Sequence, residues 1–448
     1  SSLISQEASV DSLSRQIRWL RLLTYIIAVG TGVMHVTHYP NLFYVKDILK
    51  ADPGEYTFFN SMASIAWTVK PILAYCEDMV APFHYRVKSW VGLAASMVCL
   101  LSIGVSLSHP TLGMFTVIYG AVNSSAVLMD ILAQSLTVTI LDLHRSLGET
   151  KAMQEDLSPS DIKKAGEREI AEGKKLYGNY VMARFIIRAS STFIGGLLAK
   201  TIRMQSFFIG IAAVQLPVLF FVFFIFKEQR RGYVISPNFH LINNILSFWR
   251  SITEKRILFP LLLGLVILLC PDVKDAGTYI LTDILHWSSA QVSGAGMCAS
   301  IIYFIFMLYT INKAKSLGFM LQLFIGATAS TINSMMMFRF IFLEGLDFTA
   351  MFGLTLVAAF TYNLTTDMVL IPIVARYSTL CPKGIEGFGV TSIAAIVNSS
   401  NTISGLFGAK LLSIYKVSKS NYDNLYIPVT MSCAQALLGM LLTPLLGK

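Results

Sequence analysis

Five ionisable side chains lie inside stretches of the sequence that are otherwise apolar. They are Lys70, Asp130, Arg184, Arg188 and Asp367. Placing a charge in membrane hydrocarbon costs about 3 kcal/mol on insertion scales, so a charged residue at that depth is a functional candidate that faces the protein interior. These residues predict a polar site inside a bundle of membrane helices.

Arg184 and Arg188 are four residues apart in "YVMARFIIRASS" and therefore share one face of a helix. The planar guanidinium fork matches a carboxylate, which predicts contact with an anionic substrate. The alternative is that the two arginines pair internally with Asp130 or Asp367 and hold helices together. Both readings are open at this point.

The two acids have three open roles: structural partner of an arginine, proton carrier, or hydrogen-bond acceptor for a substrate. Asp130 and Asp367 each lie about two-thirds along an apolar helix, in "VLMDILAQSL" and "NLTTDMVLIPIV". Lys70 is followed by Pro71, which removes a backbone donor and predicts a bend there. We expect Lys70 to face the cavity at that bend.

Two weaker signals complete the predicted site. His38 lies three residues after His35 in "GVMHVTHYP", and a histidine titrates near neutral pH, although a hydrogen-bonded packing role is the alternative. Asn398 in "AIVNSSNTISG" is a candidate substrate contact, or equally a small polar contact between helices.

The amino-acid composition indicates whether these residues lie in a membrane or in a water-soluble domain. The chain has 448 residues, of which 54% are hydrophobic and 14% charged, whereas soluble domains carry about 25% charged residues. This predicts an integral membrane protein. The net charge of +9 lies mostly in short loops between apolar runs, which indicates membrane orientation and argues against a nucleic-acid partner.

Spans of about 20 apolar residues predict twelve transmembrane helices. The predicted ranges are 20–45, 57–76, 89–108, 112–140, 177–199, 204–226, 257–272, 290–311, 318–342, 348–377, 385–414 and 425–446. We predict an all-α fold of two pseudo-symmetric six-helix bundles, the architecture of secondary transporters with a site at the interface between halves. The predicted organisation is a cytoplasmic tail (1–19), an N-terminal bundle (20–226) with a cytoplasmic loop (142–176), a cytoplasmic linker (227–256) and a C-terminal bundle (257–448).

Loop charges predict the orientation. Lysines and arginines cluster on one side of the predicted spans, so both termini are expected in the cytoplasm. The acid-bearing stretch "PDVKDAGTYILTD" is expected to form a loop on the opposite side. We expect a multi-pass protein of the plasma membrane.

Motifs of soluble catalysis are missing from the sequence. It contains no P-loop, GxGxxG, HExxH or GxSxG pattern, so no enzyme activity and no cofactor are expected. All six cysteines lie within or at the ends of apolar segments without paired spacing, which predicts free thiols and no metal site.

Two blocks of sequence resemble the folate–biopterin transporter family of the major facilitator superfamily. The first is "YPNLFYVKDILK…WTVKPILAYCEDMVAPFHYRVK", similar to the family's P-x-x-Y-x-L-x-D-x-L, W-x-x-K-P and P-x-x-G-Y-R-R patterns. The second, "LCPKGIEGFGVTSIAAIVNSSN", is similar to its C-P-x-G-x-E-A-T…N pattern. In this context we expect Asp78 and Arg86 to form a cytoplasmic gate with Arg376 or Glu386 of the other half.

The resemblance implies uptake of folates or pterins by alternating access, coupled to protons. Arg184 and Arg188 would then receive carboxylates, while Asp130 would accept from pterin donors. We expect a monomer. Alternatives are the same fold with S-adenosylmethionine or p-aminobenzoate as cargo, and a polytopic receptor or membrane enzyme that moves no solute.

Overall fold

A computed structural model describes residues 2–80, 82–154, 179–180, 182–228, 241–314, 318–341, 346–380 and 386–446. Within these ranges the backbone is almost entirely helical, and the only extended pairing is an isolated bridge between Ser418 and Asn421. The predicted all-α class is confirmed.

Sixteen α-helices are numbered in chain order among the described residues. They are α1 Ser2–Val33, α2 His38–Phe43, α3 Pro53–Ala63, α4 Lys70–Met79, α5 Val87–Leu107, α6 Leu112–Gln154, α7 182–198, α8 Met204–Phe220, α9 Leu241–Thr253, α10 Lys255–Leu268, α11 Lys274–Asp283, α12 Ser289–Ala314, α13 Phe319–Met336, α14 Phe348–Leu380, α15 Glu386–Ile414 and α16 Tyr426–Leu446.

Seven helical segments of this described part are long and apolar enough to cross a membrane. They are Leu13–Ile48, Val87–Leu107, Leu112–Thr137, Met204–Ile225, Ser289–Leu308, Phe348–Val374 and Asp423–Pro444. Each of the twelve predicted ranges contains helix, but the count of twelve and the domain boundaries stay predictions. Residues 155–176 of the predicted loop and 229–240 of the predicted linker lie outside the described residues.

The second predicted span is broken where the sequence places Lys70 and Pro71. Helix α3 ends at Ala63, a 3₁₀ turn covers Ile65–Trp67, and α4 starts at Lys70. Proline is tolerated in the first turn of a helix because its missing N–H has no helical partner there. The bend expected at Pro71 is therefore a restart of the helix.

The first and seventh spans are also interrupted, at corresponding positions of the two halves. The first changes from α1 to a 3₁₀ turn at Met34–Thr37 before α2 begins. In the seventh, α10 ends at Leu268 and α11 begins at Lys274, with Pro271 between them. The stretch expected to be an outer loop is thus largely the helix α11. Interrupted helices at matching positions are typical of transporter sites.

A glycine approaches each of these two interruptions. A Cβ at Gly195 of α7 would clash with the carbonyl oxygen of Val36, and one at Gly408 of α15 would clash with that of Asp272. Only glycine permits such backbone contact. Since α7 and α15 are the fifth and eleventh predicted spans, each half holds its broken helix in the same way.

One end of the bundle is closed by apolar packing that joins the two halves. A single buried cluster there combines Tyr56 and Phe59 of α3 with Tyr279 of α11 and Leu412 of α15. Two other large clusters each stay within one half, around Leu132 in the first and around Tyr377 in the second. We call the end that contains the shared cluster the sealed end.

Polar contacts reinforce the sealed end. Lys46, whose side chain is 6% exposed, forms an ion pair with Asp283 of the other half and donates to Thr282 Oγ1 at 2.7 Å. In return, the backbone N–H of Lys419 donates to Asp52 Oδ1 at 3.1 Å. Both halves therefore contribute hydrogen-bond donors and acceptors to the contact between them at the sealed end.

Replacing Gly195 or Gly408 by alanine should destabilise the protein, because the added methyl group has to displace backbone atoms. Overpacking costs about 1–3 kcal/mol, so both variants are expected to melt at a lower temperature in detergent. Gly104 and Gly210 are matched controls, since nothing lies within 4 Å of a Cβ at either position. Alanine there should leave the melting temperature unchanged or raise it. Equal melting temperatures in all four variants would contradict the packing.

Candidate functional site

A buried carboxylate, Asp130, joins three helices of the first half. Asp130 in α6 has a side chain that is 2% exposed, and Lys70 Nζ at the start of α4 donates to its Oδ2 at 2.9 Å. Arg184 of α7 donates to the other carboxylate oxygen. Gln134 Nε2, one turn along α6, donates to Oδ2 at 3.1 Å. Asp130 is thus the common counter-ion of two cations.

In the structure Arg184 pairs with Asp130, which is one of the two alternatives predicted for this arginine. Because Asp130 already accepts three hydrogen bonds in a buried position, it is better placed to hold Lys70 and Arg184 than to receive donors from a cargo. Lys70 also lies 5.3 Å from the ring centroid of Trp67. A role for Lys70 or Asp130 in direct substrate contact stays a prediction, and the geometry supports it less than their mutual pairing.

Arg188 differs from Arg184 although the two share one helix face. It is exposed, and no described residue forms an ion pair with it. The charged and polar groups that act on it come from both halves, with Asp130 in the first and Asp367 in the second. Arg188 therefore lies between the halves as a cation without a fixed counter-ion.

Asp367 is the matching acid of the second half. It lies in α14, is half-buried, and accepts a hydrogen bond from the hydroxyl of Tyr303 in α12. The positive charge of Arg188 reaches it across the space between the halves. Its partner is a neutral hydroxyl, whereas Asp130 has two cations.

The interruption of the first span directs a histidine toward the same space. His38 is exposed at the start of α2, with its ring edge-on to Tyr39 at a centroid distance of 5.0 Å. Arg188 and Lys274 are the cations closest to it electrostatically. The structure therefore places His38 where the charge of Arg188 acts on it, and a role for His38 in transport stays a prediction.

Sequence reasoning missed a second ion pair at this level. Lys274 Nζ, at the start of α11, donates to Asp272 Oδ2 at 2.5 Å and to the hydroxyl of Tyr362 at 3.0 Å. The "PDVK" stretch was assigned to a loop because it follows the end of an apolar run. The signal that could have located it is Pro271, which interrupts the seventh span as the 3₁₀ turn interrupts the first.

An aromatic pair crosses between the halves close to Arg188. Phe185 of α7 stacks on Phe304 of α12, with ring centroids 4.6 Å apart and an angle of 13° between planes. Phe185 is one turn from Arg188, and Phe304 follows the tyrosine that binds Asp367. The stacked pair therefore lies within one helical turn of the Arg188 cation along α7.

The predicted gate residues are only partly described. Arg86 donates to Glu77 of the same half, from Nε at 2.8 Å and from Nη2 at 2.9 Å, and Arg376 lies 4.7 Å from the ring centroid of Phe319. The side chains of Asp78 and Glu386 lie outside the described residues, so the cross-half gate stays a prediction. Asn398 is half-buried on α15.

Comparison with known sequences places the chain in a family. The BT1 family profile matches residues 31–155 and 164–448. The chain belongs to the BT1 family. This confirms the resemblance noted from the KP and CPxGxE blocks.

BT1 relatives span nearly the whole chain at low identity. The chain is 21% identical to a protein named probable folate-biopterin transporter 5 from Arabidopsis thaliana, over 97% of this chain and 87% of that one. It is also 21% identical to the folate-biopterin transporter of Synechocystis sp., over 96% and 81%. For the putative folate transporter 2 of Plasmodium berghei the identity is 19%, over 98% and 90%.

Solved structures of transporters share the fold of this BT1 protein. A variant of the nucleoside transporter NupG superposes with a TM-score of 0.71 at 10% identity, over 96% of this chain and all (100%) of that one. The D-xylose-proton symporter gives 0.61 at 12% identity, over 95% and 97%. The fold is therefore of the major facilitator type, and seven described helical segments are long and apolar enough to cross a membrane.

The Asp130→Asn variant should lose substantial stability, because Lys70 and Arg184 would keep buried charges without a counter-ion. Breaking a buried pair in this way costs about 3–5 kcal/mol. Adding Lys70→Met to Asp130→Asn should recover part of that loss, since one uncompensated cation disappears. Thermal melting of wild type, both single variants and the double variant measures the coupling. Strictly additive effects would show that the two side chains do not share one ion-pair network.

Proposed function

We propose that this BT1 protein carries folates or pterins across the plasma membrane by alternating access, with protons as the coupling ion. The names of its relatives in a plant, a cyanobacterium and a malaria parasite support this cargo class. The name of the D-xylose-proton symporter shows that proton coupling occurs in this fold. The proposal then depends on whether the charged and aromatic side chains between the halves suit a folate or a pterin.

The observation that carries the proposal is the exposed guanidinium of Arg188 between the halves, which has no ion-pair partner among the described residues. A folate carries glutamate carboxylates, and an arginine receives a carboxylate through two parallel charge-assisted hydrogen bonds. The neighbouring stack of Phe185 and Phe304 offers aromatic surface for a planar ring. A cation beside aromatic rings suits an aromatic anion.

The positive charge of Arg188 also favours some of the alternative cargoes over others. S-adenosylmethionine bears a sulfonium cation, which the positive charges of Arg188 and Lys274 disfavour. p-Aminobenzoate bears a carboxylate on an aromatic ring and is therefore the second candidate. A non-transporting receptor or membrane enzyme fits the shared fold less well.

Alternating access is supported by the uneven contacts between the halves. The shared apolar cluster and the Lys46–Asp283 ion pair join them at the sealed end, whereas the clusters around Leu132 and Tyr377 each stay within one half. If both termini are cytoplasmic, the sealed end faces away from the cytoplasm. This conformation would then be closed on the side that faces away from the cytoplasm.

Asp367 is the proposed proton carrier. It is half-buried and accepts from a neutral hydroxyl, so either protonation state can be accommodated. The charge of Arg188 acts on it directly. A carboxylate that occupies Arg188 would shield that charge, and this gives a physical link between cargo and proton.

Replacing Arg188 by alanine should raise the KM for folate uptake by at least about tenfold, the effect of losing hydrogen bonds to a charged group. Arg188→Lys should recover part of the affinity, because it keeps the charge and loses the bidentate fork. Uptake of radiolabelled folate by cells with equal surface expression measures both. The matched control is Arg203→Ala, an exposed arginine in the turn between α7 and α8. An unchanged KM for Arg188→Ala would remove this residue from the site.

Replacing Asp367 by asparagine should separate transport from coupling. In proteoliposomes the variant is expected to exchange internal for external folate, yet fail to accumulate folate when the outside is acidic, because its side chain cannot take up or release a proton. Wild type should accumulate it. Asp423→Asn, an exposed acid before α16, serves as control. Accumulation that persists in Asp367→Asn would rule out Asp367 as the carrier.

A further inference from the structure

A polar cavity of about 60 Å³ lies within the second half, at the interruption between α10 and α11. Helices α13, α14, α15 and α16 complete its wall. Asp272 and Lys274 form its charged part, with side chains that are 20% and 40% exposed. The pair is thus partly exposed, and the charge of Lys274 acts on His38 of the first half.

Several polar groups of the cavity wall are unused. Asn333, Asn401 and Thr366 line it, and among the described residues their side chains make no hydrogen bond. Other hydroxyls in the wall are engaged, as in the donation from Ser330 to the carbonyl oxygen of Ile267 at 3.3 Å. Two amides and a hydroxyl therefore present free donors and acceptors beside an ion pair.

The Asp272 carboxylate also retains acceptor capacity. Its Oδ1 accepts the backbone N–H of Lys274 at 3.0 Å, and its Oδ2 accepts the ammonium of the same residue. A carboxylate offers about four lone-pair sites, so further donors can be accepted without breaking either bond. Lys274 has three donors and uses two on Asp272 and Tyr362.

The ion pair restricts what this cavity can hold. Lys274 repels a metal cation from Asp272, and Asp272 offsets the attraction of Lys274 for a simple anion. A neutral group with donors and an acceptor side by side satisfies both. The amino-oxo edge of a pterin has this pattern, because its 2-amino group and ring N–H donate while the adjacent oxygen accepts.

We propose that this cavity binds the amino-oxo edge of a pterin ring, with Asp272 accepting from the ring donors and Lys274, Asn333 and Asn401 facing its oxygen. The proposal rests on the cargo class proposed above. The cargo is then bound at two places. Arg188 binds its carboxylates, and the cavity binds its pterin ring. A cavity of this size takes one end of a cargo while the remainder lies in the central space.

Three soluble probes separate the two binding places. Folic acid has both the pterin edge and carboxylates, biopterin has the edge without a carboxylate, and p-aminobenzoyl-glutamate has carboxylates without the edge. Their affinities for purified protein are measured by calorimetry for wild type and variants. Asp272→Asn should weaken biopterin by at least about tenfold more than p-aminobenzoyl-glutamate, since a hydrogen bond to a charged group is lost. Arg188→Ala should show the opposite ratio.

A second variant distinguishes a loss of ligand binding from a folding defect of the Asp272→Asn variant. Asn333→Ala leaves the Asp272–Lys274 pair intact and should also weaken biopterin selectively, whereas the control Asn363→Ala, whose amide donates to Ala359 in its own helix, should change neither ligand. If Asp272→Asn and Asn333→Ala weaken both probes equally, or neither, the cavity does not read the ring. A wild-type protein that binds none of the three probes overturns the proposed cargo and this site with it.

Discussion

Lys70 and Arg184 share the carboxylate of Asp130, whereas Arg188 has no ion-pair partner among the described residues. Asp130 binds both cations, so this cluster of described residues holds two positive charges for one negative charge. Ion pairs of this kind contribute little net stability, but their geometry is costly to change. An anionic cargo of the class proposed above would supply Arg188 with the partner that it lacks among the described residues.

The backbone positions these charges through matching interruptions. The first span breaks at Met34–Thr37 and the seventh between Leu268 and Lys274. Each break is held by a helix whose glycine contacts backbone directly. Rigid support of irregular backbone is what allows polar side chains to be placed accurately at membrane depth, where unsatisfied backbone groups are not tolerated.

The fold and the identity of the charged residues were predictable from the sequence, whereas most of their partners were not. Hydropathy predicted the all-α class, and each predicted range contains helix, while the cost of intramembrane charge made Asp130, Arg188 and Asp367 candidates. Which side chains meet depends on the rotation of helices far apart in the chain, which no local pattern encodes. The Asp272–Lys274 pair was missed for a different reason: its helix is too short and polar to resemble a span.

The exposed guanidinium of Arg188 also acts on small cations near it. Fixed positive charge raises the electrostatic energy of small cations that enter a narrow polar passage, as it does in pores that exclude hydronium. Arg188 would thereby disfavour the entry of sodium ions between the halves when no anion lies beside it.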